Sequence, residues 1–194
     1  CAPDVFVRNG MDIDAVCRKV VGNLTFPVFV KPTDGGSSFG ITKVREAKDL
    51  PEAIQFAFSE GPSVIIEQGI TGREFTCAAY SDAEGIKSLP VIQVVTENDY
   101  FDYDAKYNGH SQEICPAPIE DSLSEHIQEV SKKIFSRLGC SGVVRMDYIL
   151  AEDGLYFLEV NTIPGMTSAS LVPKMIRTAG LDITDFLTNI IENS

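Results

Sequence analysis

The sequence predicts an α+β fold, and three observations carry that expectation. Strand-like apolar runs and amphipathic helical runs are mixed along the chain without the βαβ regularity that a parallel sheet requires. One helix is written out in full. Ser122 and Glu125 have the spacing of a capping box, Ile127, Val130, Ile134 and Leu138 form an apolar stripe, and Gly139 stops it, which predicts a helix over 123–138. Finally, RMDYILAEDGLYFLEVN (residues 145–161) reads as two strands about a turn, an antiparallel unit.

The other elements follow in order. FPVFVK (26–31) reads as a buried strand, then the loop 32–38, then a strand over 41–44. Residues 46–60 predict a helix with Pro51 in its first turn and Leu50, Ile54, Ala57 and Phe58 at helical spacing, ended by Gly61-Pro62. Strands are expected over 63–67, 73–80 and 86–94, with 68–72 as a connector between two lobes, 1–68 and 69–194. The polar, aromatic stretch 96–109 predicts a long functional loop. Helices near 170–178 and 184–192 close the chain.

Composition narrows the function. With 194 residues the chain can bury roughly 70% of its unfolded surface. The net charge of −12 argues against a nucleic-acid partner. No apolar run approaches the ~18 residues of a membrane span, and no signal peptide is visible, so no membrane role is expected. Five dispersed cysteines without a CxxC pair predict reduced thiols in a cytoplasmic protein. The chain opens CAPDVFV without an initiator methionine, which suggests a fragment.

The hairpin poses a chemical question. A three-residue loop Glu152-Asp153-Gly154 would set Ala151 opposite Leu155, Asp147 opposite Glu159 and Arg145 opposite Asn161. Two carboxylates at about 5 Å and an effective dielectric near 20 repel by roughly 3 kcal/mol. Protonation of one acid or a bound cation could offset this, as could Arg145 on a solvated face. Two carboxylates and an amide oxygen are hard ligands of the kind Mg²⁺ accepts.

Four further motifs each have two readings. KPTDGGSSFG (31–40) ends a strand in lysine and continues into a glycine- and hydroxyl-rich loop, either a phosphate cradle or an ordinary hairpin. IIEQGI (65–70) offers amides and apolar surface to an adenine, or simply links two lobes. YFDYDAKYNG (100–109) contains Lys106, either a lid cation over a reacting phosphate or a solvated side chain. NTIPGMTSASLVP (161–173) reaches a helix start at Ser170 that suits a carboxylate or a plain cap. His110 and His126 have no Ser or Cys at triad spacing and read as surface residues.

Taken in order, FPVFVKPTDGGSSFGITKV, EFT at 74–76, FDYDAKY, RMDYIL and FLEVNTIPGMTSASLVPKM resemble the D-alanine–D-alanine ligase family of ATP-grasp enzymes, over about residues 26–174. The resemblance implies a two-lobed ATP-grasp fold with ATP between the lobes. It implies adenine near Glu67, Gln68, Gly69 and Ile70, ribose on Glu74, and phosphates on Lys31 beneath Ser37 and Ser38. Mg²⁺ (or Mn²⁺) would sit on Asp147, Glu159 and Asn161. Arg145 and the Gly165 N–H would stabilise an oxyanion, and Lys106 would serve the transferred phosphoryl group. Ser170 and the Leu171 N–H would hold the second D-alanine, whose identity a tyrosine at Tyr107 accompanies. The partners implied are ATP, D-alanine, the family's N-terminal domain, and a second copy in a homodimeric parent, in peptidoglycan precursor synthesis. That domain and an upstream ATP-contacting lysine are missing from this sequence, so the isolated chain is expected to be inactive alone. The loop reads DGGSS where the family often has glutamate at the position of Gly35. Two other readings stay open, a related carboxylate–amine ligase and a non-catalytic nucleotide- or metal-binding module.

Overall fold

The computed structural model describes residues 1–34, 39–96 and 111–193. The chain divides into two compact units, Cys1–Thr71 and Gly72–Glu97 with Ser111–Ser194.

The first unit is a four-stranded antiparallel sheet with helices on one face. Its elements are β1 (Asp4–Arg8), α1 (Ile13–Asn23), β2 (Val28–Pro32), β3 (Thr42–Val44), α2 (Leu50–Phe58) and β4 (Ser63–Gln68), and the strand order is β1-β4-β2-β3. Alternation decides what each face carries. Val28, Val30, Val64 and Ile66 point into a core completed by Val16, Val20, Leu50 and Ile54. Phe29, Lys31 and Glu67 therefore point to the other face. Residues 1–25 are expected only to belong to the first lobe, with no element predicted where β1 and α1 lie. The cues were present, because the Asp12 carboxylate caps α1 by accepting from the Asp14 N–H at 3.0 Å, and Val16 and Val20 are its buried positions. The helix expected over 46–60 begins instead as a 3₁₀ turn, Ala47–Asp49, and becomes α-helical at Leu50, with Pro51 in its first turn, where no N–H is needed.

The second unit is a six-stranded, wholly antiparallel sheet. It comprises β5 (Arg73–Asp82), β6 (Gly85–Ser88), β7 (Ile92–Thr96), β8 (Ser111–Ile114), α3 (Asp121–Arg137), β9 (Val143–Ala151), β10 (Gly154–Asn161), α4 (Leu171–Thr178) and α5 (Ile183–Glu192). The strand order is β10-β9-β5-β7-β8, with β6 also on β5. The strand expected over 86–94 breaks at Leu89-Pro90-Val91, since Pro90 has no N–H for the ladder. Ile127 and Phe135 of α3 pack on Phe75, Cys77, Ala79, Val144, Met146 and Tyr148. Beneath α3, Ser131 lies 2.7 Å from the Tyr148 hydroxyl. Burial raises the Tyr148 phenol above its ordinary range, with Ser131 pulling the other way, so it stays neutral and anchors β9 from the core side.

Two expectations need correction here. The Ser122–Glu125 capping box does not form. The helix starts at Asp121 behind Glu120, whose side chain makes no cap bond, because Ala117 is tied to the sheet through Val91 and the chain turns at once, with Asp121 in the first turn favoured by the helix dipole. The hairpin loop is also shorter than expected. Glu152 and Asp153 make the turn, and Gly154, at φ +149°, pairs with Ala151.

Candidate active site

The hairpin correction explains how the acids meet. From the turn, Leu155 pairs with Leu150 and Phe157 with Tyr148. Continued evenly, that register would set Leu158 opposite Asp147 and Glu159 opposite Met146, on the core face. The register shifts at Leu158, which is left unpaired as a β-bulge, so Glu159 pairs with Asp147 and Asn161 with Arg145. The bulge also keeps Phe157 and Val160 on the core side, where both pack against the cluster under α3. The expected Asp147–Glu159 and Arg145–Asn161 pairings are thus present, reached through a bulge instead of a longer loop, whereas Ala151 faces Gly154 and not Leu155.

Register then assembles one polar face. On β5, Glu74 pairs with Ile149, Thr76 with Asp147 and Ala78 with Arg145. Glu74, Thr76, Arg145, Asp147, Glu159 and Asn161 therefore share the sheet face opposite α3. Asp147 is the hub. Its Oδ1 accepts from Thr76 Oγ1 at 2.7 Å and from Arg145 Nε at 3.0 Å. Its Oδ2 accepts from Arg145 Nη2 at 3.0 Å and from Asn161 Nδ2 at 3.1 Å. Arg145 and Asp147 side chains are 15% and 20% exposed, whereas Glu159 is exposed. The arginine thus neutralises one acid, as the alternative reading of the hairpin allowed. That does not remove the donor set for a cation. With its amide nitrogen on Asp147, Asn161 keeps its amide oxygen as a ligand. Two carboxylates plus an amide oxygen suit Mg²⁺, which fills its remaining positions with water and phosphate. Among the described residues no three His, Cys, Asp or Glu side chains gather to form a softer or fully protein-built site.

Downstream of β10, the loop brings Gly165 against Ser170. A Cβ on Gly165 would lie 2.8 Å from Ser170 Oγ, so only glycine fits without displacing that hydroxyl. Ser170 begins α4 with its backbone, but its Oγ turns back to accept from the Thr167 N–H at 3.1 Å and to bond Thr167 Oγ1 at 2.8 Å. Leu171 is the first, buried residue of α4.

In the first unit, Lys31 Nζ lies 2.5 Å from Glu67 Oε2 on the face away from the helices. The connector is pinned at its start. Gln68 N donates to Pro3 O at 2.9 Å, its side-chain Oε1 accepts from the Thr25 N–H at 2.9 Å, and Gly69 N donates to Pro27 O at 2.8 Å. The amides of Gln68 and Gly69 are already committed, which leaves Ile70 as the available amide donor at the end of this run. Ser37, Ser38, Lys106 and Tyr107 lie outside the described residues. Thr76 was missed by the sequence reading, although its place two residues after Glu74 in a strand already set it on the same face.

The sequence profile of a family described as D-ala D-ala ligase C-terminus matches residues 5–192. The chain belongs to that family. It is 44% identical over 193 residues to a D-alanine–D-alanine ligase of Phocaeicola vulgatus, covering 99% of this chain and 59% of that protein. It is 49% identical over 190 residues to one of Bacteroides fragilis, covering 97% of this chain and 58% of that protein. Among solved structures, the VanG D-Ala:D-Ser ligase of Enterococcus faecalis superposes with a TM-score of 0.87 at 37% identity, over 98% of this chain and 56% of that one. The D-alanyl-alanine synthetase A of Vibrio cholerae superposes with a TM-score of 0.83 at 28% identity, over 99% of this chain and 60% of that one. The α+β fold is therefore the ATP-grasp fold of these ligases. This member of the D-ala D-ala ligase C-terminus family spans less than two thirds of the length of these relatives.

Proposed function

We propose that this chain carries the nucleotide- and cation-binding part of an ATP-dependent D-alanine–D-alanine ligase. The observation that carries the reading is the meeting of Arg145, Asp147, Glu159 and Asn161 on one sheet face through a bulged register, in a chain of this family. In this reading the first unit binds the nucleotide, with adenine against residues 67–70 and phosphates on Lys31, helped by Ser37 and Ser38. Glu74 takes the ribose hydroxyls. Asp147, Glu159 and Asn161 hold Mg²⁺, which when bound neutralises phosphate charge and orients the γ-phosphoryl group.

The chemistry proceeds in two transfers. A carboxylate oxygen of the first D-alanine attacks the γ-phosphorus, the bond to the β-phosphate oxygen breaks, and ADP leaves an acyl phosphate. The amine of the second D-alanine then attacks the acyl carbon, loses a proton, and expels inorganic phosphate to give the dipeptide. The Arg145 guanidinium carries five N–H donors. Together with the Gly165 N–H they stabilise the charge that develops on the acyl oxygen, where fixed donors are most effective. Lys106 serves the transferred phosphoryl group. Ser170 and the Leu171 N–H hold the second carboxylate.

The relatives' additional length is the proposed source of the first D-alanine's contacts. Precise placement of reacting groups can contribute roughly 7–11 kcal/mol to a barrier reduction, so this chain alone is expected to bind nucleotide without ligating. Calorimetry with Mg-ATP, followed by a dipeptide assay with ATP, Mg²⁺ and saturating D-alanine, tests both halves. Binding heat without dipeptide is the expected result. No nucleotide binding would overturn the reading, and dipeptide from this chain alone would overturn the assignment of the first site to residues beyond it.

A further inference from the structure

Thr76 and Ser131 are buried polar residues, 2% and 0% exposed. Ser131 has a structural explanation, since its hydroxyl bonds Ile127 O of its own helix at 2.8 Å and meets Tyr148. Thr76 sits at 2% exposure in the middle of β5, paired with Ile92 on one side and Asp147 on the other. A valine would pack equally well there and is a better strand-core residue, so the hydroxyl is what needs explaining. That hydroxyl has a single hydrogen and two acceptors in reach, Asp147 Oδ1 at 2.7 Å and Met146 O at 3.1 Å. The shorter contact is to a charged oxygen, which makes Asp147 the stronger acceptor.

We propose that Thr76 is a positioning residue for the cation-binding carboxylate, its hydroxyl locking Asp147 in the rotamer that presents Oδ2 beside Asn161. The inference rests on reading Asp147, Glu159 and Asn161 as a divalent-cation site. Of the three residues that donate to Asp147, Thr76 is the most constrained. Its short side chain is held between two neighbouring strands in the sheet centre. Arg145 has a long side chain on the same strand as Asp147, and Asn161 lies on the edge strand β10 and is itself a ligand. When a cation takes up Asp147 and Asn161, the Asn161 amide oxygen becomes a ligand and its nitrogen must share Asp147 Oδ2 with the cation. The Thr76 bond to Oδ1 asks for no such change, so it can persist from the empty to the loaded site. A hydrogen bond of this kind around a metal ligand typically changes metal affinity by about 10–100-fold when removed.

The test is Mn²⁺ titration of this 194-residue chain, read from the electron paramagnetic resonance signal of the free aquated ion. Four proteins are compared: wild type, Thr76→Val, Thr76→Ser and Glu159→Gln. Thr76→Val is expected to weaken Mn²⁺ uptake about tenfold, while Thr76→Ser, which keeps the hydroxyl, stays within about twofold of wild type. Should Thr76→Val fail to fold, Thr76→Ala removes the same hydroxyl and takes its place. Wild-type affinity in a folded Thr76→Val variant would overturn the inference. So would equal losses in Val and Ser, which would assign the effect to packing. If wild type takes up no Mn²⁺, or Glu159→Gln leaves uptake unchanged, the cation reading fails and takes the inference with it. Weakening by Glu159→Gln without weakening by Thr76→Val sinks the Thr76 inference alone.

Discussion

Asp147→Asn separates the two electrostatic interactions that meet at the site. The substitution removes a negative charge, and so it relieves repulsion with Glu159 while breaking the paired bonds to Arg145. Burial decides which effect wins. Glu159 is exposed, so water screens its repulsion, and the relief falls at the lower end of the ~0.2–1 kcal/mol typical of cross-strand pairs. Arg145 is 15% exposed and holds Asp147 through Nε and Nη2 at 3.0 Å each. Removing one partner of a fully buried pair costs about 3–5 kcal/mol, and partial exposure here brings the expected loss to about 2–3 kcal/mol. The new amide makes matters no better. In either orientation its NH₂ would meet an Arg145 N–H, from Nε at one oxygen's position and from Nη2 at the other's. With a urea dependence near 2 kcal/mol per molar, the midpoint of unfolding in metal-free buffer should fall by roughly 1 M. Glu159→Gln should leave that midpoint nearly unchanged or raise it slightly. Far-UV circular dichroism in urea reads both. If Asp147→Asn unfolds at the wild-type midpoint, or if Glu159→Gln is the more damaging change, then Arg145 is not what holds this carboxylate.

Two further outcomes can be checked separately. The Asp182 carboxylate caps α5 by accepting from the Asp185 and Thr184 N–H groups, which hold its pKa below the usual carboxylate range. A depressed folded-state pKa means stability that is present above the ordinary carboxylate pKa of about 3.9 and lost as pH falls through the folded value. The melting-temperature gap between wild type and Asp182→Ala should therefore be full at neutral pH and shrink on acidification, and a gap constant with pH would refute the cap. In a full-length ligase carrying this chain, Tyr107→Phe removes a hydroxyl proposed to keep the acceptor site polar, so D-lactate should become an acceptor and yield depsipeptide. Dipeptide alone at every D-lactate concentration would reject that role.

Much of this protein could be read before folding was considered. Residue alternation put Arg145 and Asp147 on one face and Glu159 and Asn161 on one face, because the period of a strand is a local property of the chain. The same local logic placed the strand that carries Lys31, Pro51 in the first turn of α2, and Ile127 in the stripe of α3, although Leu138 proves exposed and Phe135 takes its place in the core. The helix α1 was just as local, and Asp12 with Val16 and Val20 announced it. What the chain could not express locally was how strands meet. The exchange of a three-residue loop for a two-residue turn and a bulge at Leu158 depends on Phe157 and Val160 both seeking the core under α3, a demand set by another part of the sequence. Thr76 and Asp147 are 71 residues apart, and only the pairing of β5 with β9 brings the hydroxyl to the carboxylate. The Lys31–Glu67 pair likewise follows from β2 lying beside β4. Side-chain periodicity is written into each strand. Register is a compromise between faces that must be buried, and it exists only once the whole sheet has formed.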